Sequence, residues 1–208
     1  MSRPLSLRRP SPAATAQAPQ EVRIIGGQWK RTPLPVRQVP GLRPTPARVR
    51  ETLFNWLGQD LTGWRCLDVF AGSGALGFEA ASRGASEVVL VEQDPLLVKG
   101  LQTIVTRLKA GDCVRIERAD ALAALRQRQG AALDLVFLDP PFGEGGNDAL
   151  FRSVLQSARD VIGAGGLIYL EAPQVWTADA LASLGLQVHR QGKAGQVAFH
   201  LLRILAAD

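Results

Sequence analysis

The sequence has few of the residues from which disulfides and metal sites are built. Its 208 residues include two cysteines, Cys66 and Cys113, and two histidines, His189 and His200. Both cysteines fall in expected strands, which reads as two buried thiols and not a disulfide. A reducing, cytoplasmic setting follows. The histidines are expected opposite each other in a hairpin, with no cysteine or carboxylate at ligand spacing, so they read as cross-strand neighbours and no metal site is expected. No apolar run reaches the ~18 residues that a membrane helix needs. Residues 1–20 hold Arg3, Arg8 and Arg9 but no apolar stretch, which argues against a secretory signal. They read as a disordered basic tail rich in Pro, Ala and Gln. No Ser-His-Asp or Cys-His arrangement stands out.

Net positive charge is lacking beyond the first part of the chain. Residues 1–60 contain ten Arg or Lys and three acids, while residues 61–208 contain fourteen and sixteen. The basic pI of 9.9 therefore belongs to the N-terminal part. A basic extension at 21–60 beside a neutral-to-acidic domain at 61–208 points to a polyanionic partner; a solvated tail is the plainer alternative.

From Arg65 onward, short apolar strands alternate with helices. Strands are expected at 65–70, 87–92, 113–118, 133–138 and 166–171, and helices at 75–83, 95–108, 120–128, 148–162 and 177–184. That alternation implies a parallel sheet covered on both faces. The end differs: Leu186 to Arg190 and Gln196 to Leu202 flank Gly192-Lys193-Ala194-Gly195, a β-hairpin pattern. A mostly parallel, seven-stranded α/β sheet finished by an antiparallel hairpin is the layout of Rossmann-like class I methyltransferases. Ahead of it, Val22 to Ile25 reads as a small strand. Thr45 reads as the N-cap of a helix with Pro46 at its first position, running to Leu57. Val49, Leu53, Trp56 and Leu57 form its buried face, with Arg48 and Arg50 on other faces.

The central stretch is Asp68-Val69-Phe70-Ala71-Gly72-Ser73-Gly74-Ala75-Leu76-Gly77. A strand, a glycine turn and a helix start can bring backbone close to a ligand. The glycines alone also match a dinucleotide fingerprint. Asp68 tips the balance, because a carboxylate there would repel a pyrophosphate. It suits S-adenosylmethionine, which carries an ammonium and a sulfonium. Glu92 ends the second strand, where an acid can accept ribose hydroxyls; NAD and S-adenosylmethionine both offer these. Asp120, followed by Ala121, can accept from an adenine amine or simply cap the helix after it. Three successive strands thus end in an acid, at the sheet edge where such folds bind ligands.

Asp139-Pro140-Pro141-Phe142 follows the apolar strand Leu135 to Leu138. The prolines remove N–H donors, so the corner presents acceptors alone. The Asp139 carboxylate and the Pro140 carbonyl can each take one hydrogen of an exocyclic base amine, while Phe142 stacks on the ring. That aims the nitrogen lone pair at a methyl group on sulfonium. The residues leave open whether Asp139 also accepts the proton. Trp29-Lys30-Arg31 can stack on bases and pair with phosphates, or form a hairpin with a half-buried tryptophan. Arg48 and Arg50 can line a substrate entrance or a solvated face.

These motifs together resemble the RsmD family of bacterial methyltransferases. The resemblance lies in Arg23 to Gly27, Leu42 to Thr45, Arg48 to Leu57, Asp68 to Gly74 and Asp139 to Phe142. Ala47 departs from the acid that many relatives carry there. The resemblance implies methylation of the N2 amine of a guanine in 16S ribosomal RNA, with S-adenosylmethionine. It implies Asp68, Gly72, Glu92 and Asp120 at the cofactor and Asp139 to Phe142 at the guanine; Ala71, Ser73, Gly74 and Ala121 are expected beside the cofactor as well. Trp29, Lys30, Arg31, Arg43, Arg48 and Arg50 are expected at the RNA. The partner is the small subunit or an assembly intermediate, met by a monomer. The rival is a DNA adenine-N6 methyltransferase, since the same corner serves adenine; 208 residues leave little room for a separate target-recognition domain.

Overall fold

The computed structural model describes residues 20–37, 39, 42–141 and 147–206. Residues 1–19 of the expected tail, and Phe142, lie outside the described residues. Two small strands, β1 (Glu21–Arg23) and β2 (Pro33–Pro35), pair antiparallel ahead of α1 (Ala47–Leu57). Then follow β3 (Arg65–Asp68), α2 (Ala75–Ser82), β4 (Glu87–Glu92), α3 (Pro95–Leu108), β5 (Val114–Arg118), α4 (Ala121–Arg126) and β6 (Leu133–Leu138). The chain closes with α5 (Asp148–Arg159), β7 (Ile162–Ala172), α6 (Ala178–Ala182), β8 (Leu186–Ala194) and β9 (Val197–Ile204).

The seven-stranded sheet runs β5-β4-β3-β6-β7-β9-β8. All pairs are parallel except β7 with β9 and β9 with β8. The α/β sheet with a terminal antiparallel hairpin is the expected class I methyltransferase layout. Strand order reverses between β3 and β6, which opens a crevice at the carboxyl ends of the strands. One face is covered by α1, α2 and α3, the other by α4, α5 and α6. Central strands covered on both sides must be apolar throughout, and Leu135, Val136, Phe137 and Leu138 are all fully buried.

Every residue of α2 is buried, including Glu79. A carboxylate at 0% exposure needs partners. Glu79 accepts from the Ile25 and Gly26 amides at 2.7 and 2.8 Å. Arg83 Nη2 lies 2.8 Å from Glu79 Oε1, and Arg50 Nη1 lies 3.4 Å from Oε2. Glu79 thereby fastens the N-terminal segment to the sheet, and Ile24, Leu34, Leu53 and Phe54 join the core that contains Cys66 and Phe137.

Several local expectations are corrected. Helix α1 begins at Ala47, with Pro46 in the cap position and no side-chain cap. Thr45 is instead buried and turned to the carboxyl groups of Asp139 and Glu171. Arg50 is 1% exposed and committed to Glu79, so it is not a solvent-facing cation. Strand β7 starts at Ile162, the last residue of the expected helix and four before the expected strand at 166, because Gly163, Gly165 and Gly166 disfavour helix and leave the backbone extended. Helix α5 accordingly stops at Arg159. The hairpin strands lengthen to 186–194 and 197–204, leaving a turn at Gly195 and Gln196. This turn places His200 opposite Gln191 on β8, and β9 pairing places it opposite Leu170 on β7, while His189 falls in a bulge between Val188 and Arg190. The His200 ring is buried, and its Nε2 accepts from the Trp176 amide at 3.3 Å.

Candidate active site

The carboxyl ends of β3, β4, β6 and β7 open into a cleft of about 1430 Å³. Asp68, at the end of β3, is 2% exposed. Its Oδ2 accepts from the Gly77 amide at 3.2 Å, which ties the strand to the first turn of α2. Burial pushes Asp68 up to about 7; amides of Gly77 and Phe70 oppose this, and the charge of Glu92 adds to it. Asp68 sits in a narrow recess shared with Ala71, Gly72, Ser73 and Asp139.

The glycines between β3 and α2 serve packing as much as access. Gly74 has φ +76°, and a Cβ there would lie 2.6 Å from the Phe78 ring and 2.8 Å from Leu101. A Cβ on Gly77 would meet Leu90 at 2.2 Å. The loop is thus shaped by α2 seated tightly on β4 and α3, and the ligand edge is a consequence. Gly72 does line the cleft, and its amide donates to Glu92 Oε2 at 3.0 Å.

Glu92 ends β4, and its other oxygen accepts from the Asp94 amide at 2.8 Å. Two backbone donors fix the carboxylate while its remaining lone pairs face the cleft. Asp120 is the N-cap of α4, accepting from the Ala123 amide at 3.0 Å, and it also lines the cleft with Ala121. Capping and ligand contact are compatible, because a carboxylate has lone pairs to spare. These residues fit S-adenosylmethionine: a fixed acceptor for the ribose, an acid rim beside a cationic group, and a backbone edge with small side chains.

The opposite end of the cleft is the Asp139-Pro140-Pro141 corner, continuous with the first. Asp139 is half-buried, Pro140 buried and Pro141 exposed. Burial raises the Asp139 carboxyl well above the usual range, reinforced by the charges of Glu171 and Asp68, while Thr45 opposes it. Glu171, one residue before the end of β7, is 4% exposed and accepts from Tyr169 Oη at 2.9 Å. Burial raises its carboxyl too, against hydrogen bonds from Thr45 and Tyr169.

Of the cations expected at a nucleic acid, Lys30, Arg31, Arg43 and Arg48 are exposed, and Arg31 and Arg43 line the cleft. Trp29 is half-buried against the core, with its amide donating to Ser82 Oγ at 2.9 Å. Glu171 and Tyr169 were not singled out from the sequence, and Thr45 was read only as a helix cap and part of the Leu42 to Thr45 motif. A signal existed for Glu171, since Ile168-Tyr169-Leu170-Glu171 repeats the pattern of an apolar strand ending in an acid. Among the described residues, no three or more His, Cys, Asp or Glu gather as a metal would require, and no helix is long and apolar enough to cross a membrane.

Comparison with known proteins gives four findings. A family model described as Conserved hypothetical protein 95 matches residues 22–203. The chain is 40% identical over 197 residues to Ribosomal RNA small subunit methyltransferase D of Escherichia coli (strain K12), with 94% of each chain covered. The solved structure of yhhF from Escherichia coli superposes with a TM-score of 0.75 at 38% identity, covering 89% of this chain and 99% of that one. At the level of fold alone, Precorrin-6y C5,15-methyltransferase from Geobacter metallireducens matches with a TM-score of 0.58 at 18% identity, covering 76% of this chain and 87% of that one.

Proposed function

The chain belongs to the RsmD family, described as Conserved hypothetical protein 95, and on that premise we propose that it methylates the N2 amine of a guanine in 16S ribosomal RNA. The coarser statement, an S-adenosylmethionine-dependent ribosomal RNA methyltransferase, follows from the relatives and the fold. One observation carries the finer one: a single cleft joins the acid-rimmed end at Glu92 and Asp120 to the donor-free proline corner at Asp139.

S-adenosylmethionine supplies the activated methyl group when bound. Glu92 offers acceptors to the ribose hydroxyls, Asp120 to the adenine amine, and Asp68 an anion beside the cationic end. At the other end, the Asp139 carboxylate and the Pro140 carbonyl each accept one N–H of the base amine. The prolines present no competing N–H. The amine is held in one orientation, and positioning supplies much of the rate. A target base paired in a helix is turned out to enter. Lys30, Arg31, Arg43 and Arg48 meet backbone phosphates, with Trp29 at the edge of that surface. The substrate is the small subunit or its assembly intermediate, engaged by one copy of the chain in the cytoplasm.

The test is transfer of labelled methyl from S-adenosylmethionine to small-subunit particles and to duplex DNA. Label in the RNA and none in the DNA is expected. Label in the DNA alone would reverse the assignment to the adenine-N6 class.

A further inference from the structure

Glu171 is buried one residue before the end of β7, and the reading above gives it no role. Its place follows from strand register. The last paired row between β6 and β7 is Leu138 with Leu170. The next residues, Asp139 and Glu171, therefore stand side by side at the carboxyl edge, on strands ~4.8 Å apart. Phe137 and Tyr169, two residues earlier, belong to the core on the α1 face. Side chains alternate along a strand, so both carboxyl groups share that face. Asp68 pairs with Phe137, which places a third acid there.

The hydrogens available to this pair are few. Tyr169 Oη donates to Glu171 Oε1 at 2.9 Å. The Thr45 hydroxyl, at 3% exposure, reaches both carboxyl groups. A hydroxyl has one hydrogen, so it donates to one carboxylate and accepts from the other only if that one is protonated. Arg50 lines the same cleft, but its guanidinium is directed at Glu79, the Thr45 carbonyl and the Arg23 carbonyl.

We propose that Asp139 and Glu171 form a carboxyl pair holding one proton between them in the resting site, and that Glu171, as a positioning residue acting through Asp139, lets the pair take up the amine proton released by methyl transfer. This rests on the amine-methylation reading above. Both carboxyl groups are displaced in the direction a shared proton requires: burial is the leading cause for each, and the Glu171 charge adds to it at Asp139. In the transfer, the amine lone pair forms the new carbon–nitrogen bond. The carbon–sulfur bond breaks and its electron pair stays on sulfur, which becomes a neutral thioether. The nitrogen is left positive with one hydrogen in excess. That proton passes to the ionised member of the pair, so both carboxyl groups are neutral until one proton leaves to water.

The experiment follows the carboxyl resonance of Asp139, assigned by difference with Asp139→Asn, across pH in carboxyl-labelled full-length protein. Wild type, Glu171→Gln and Tyr169→Phe are compared. Glu171→Gln removes the neighbouring charge and keeps the volume and the acceptor for Tyr169. The Asp139 step is expected at lower pH in Glu171→Gln, and also in Tyr169→Phe, where loss of a donor moves the shared proton toward Glu171. The acid limb of kcat/KM for RNA methylation shifts the same way. An Asp139 step unmoved in both variants overturns the pair. A wild type that never methylates a guanine amine overturns the parent reading instead, while the titration still decides the pair.

Discussion

Arg50 and Glu79 form an ion pair sealed from solvent, with Nη1 3.4 Å from Oε2 and side-chain exposures of 1% and 0%. Burial lowers the Arg50 pKa, and the charge of Glu79 pulls it back up. Without Arg50, Glu79 keeps Arg83 and the Ile25 and Gly26 amides, but the Arg23 and Thr45 carbonyls lose their guanidinium donor and a buried volume is emptied. Arg50→Ala is expected to lower unfolding stability by about 2–4 kcal/mol, read from urea denaturation. A loss below about 1 kcal/mol would mean that Arg83 and the Ile25 and Gly26 amides satisfy Glu79 without Arg50.

The exposed cations should behave oppositely. Arg43 and Arg48 are exposed, and Arg48 makes no salt bridge within 4.0 Å among the described residues. Replacing both with Ala should leave stability within about 0.5 kcal/mol per site. RNA affinity should fall, and its dependence on salt should flatten by about one unit of slope per lost phosphate contact. Unchanged affinity and slope would remove these residues from the RNA surface.

Gly74→Ala tests the packing account of the glycine loop. The new Cβ meets the Phe78 ring at 2.6 Å and Leu101 at 2.8 Å, in a backbone with φ +76°. Neither buried neighbour has room to move away. A stability loss of about 1–3 kcal/mol is expected in thermal unfolding, with weaker S-adenosylmethionine binding as the loop shifts. Wild-type stability with lost binding would make Gly74 a ligand-approach glycine instead.

With Asp68 beside the cationic end of the cofactor, binding is expected to depend on pH. Its folded value of about 7 lies above the ordinary carboxylate range, chiefly through burial. Folding therefore takes up a proton between roughly pH 4 and 7, so the Asp68 contribution to stability falls as pH rises through that window. A bound cation favours the ionised form, so affinity for S-adenosylmethionine should rise with pH, by up to about tenfold per unit below 7, and level off above it. Calorimetry should show this in wild type and a flatter profile in Asp68→Asn. A wild-type affinity independent of pH would place the cation away from Asp68.

The sequence carried the architecture because the strands sit inside the sheet. Leu135 to Leu138 must be apolar on both faces, and that run has no other stable reading. Acids at strand ends were legible for the same reason: Asp68 and Glu92 interrupt buried strands where the cleft begins. Glu171 carries the same mark, but it precedes the hairpin and was read as the end of a strand only. Arg50 was illegible because its partner lies 29 positions away. Its helical position gives the face, not what covers that face. Thr45 beside Pro46 imitates a helix cap, and only the approach of β6 and β7 shows that its hydroxyl is taken by Asp139 and Glu171. The two histidines were misplaced because the turn falls at Gly195 and Gln196, which pairs His200 with Gln191 before the bulge at His189 is reached.

The central claim is that a donor-free corner at Asp139 and Pro140 presents a guanine amine to the methyl donor. The most direct measurement is mass spectrometry of nucleosides from small-subunit RNA methylated by the purified protein. N2-methylguanosine is predicted for wild type, and its loss with retained S-adenosylmethionine binding for Asp139→Ala. N6-methyladenosine, a ring-methylated guanosine, or undiminished product from Asp139→Ala would contradict the account.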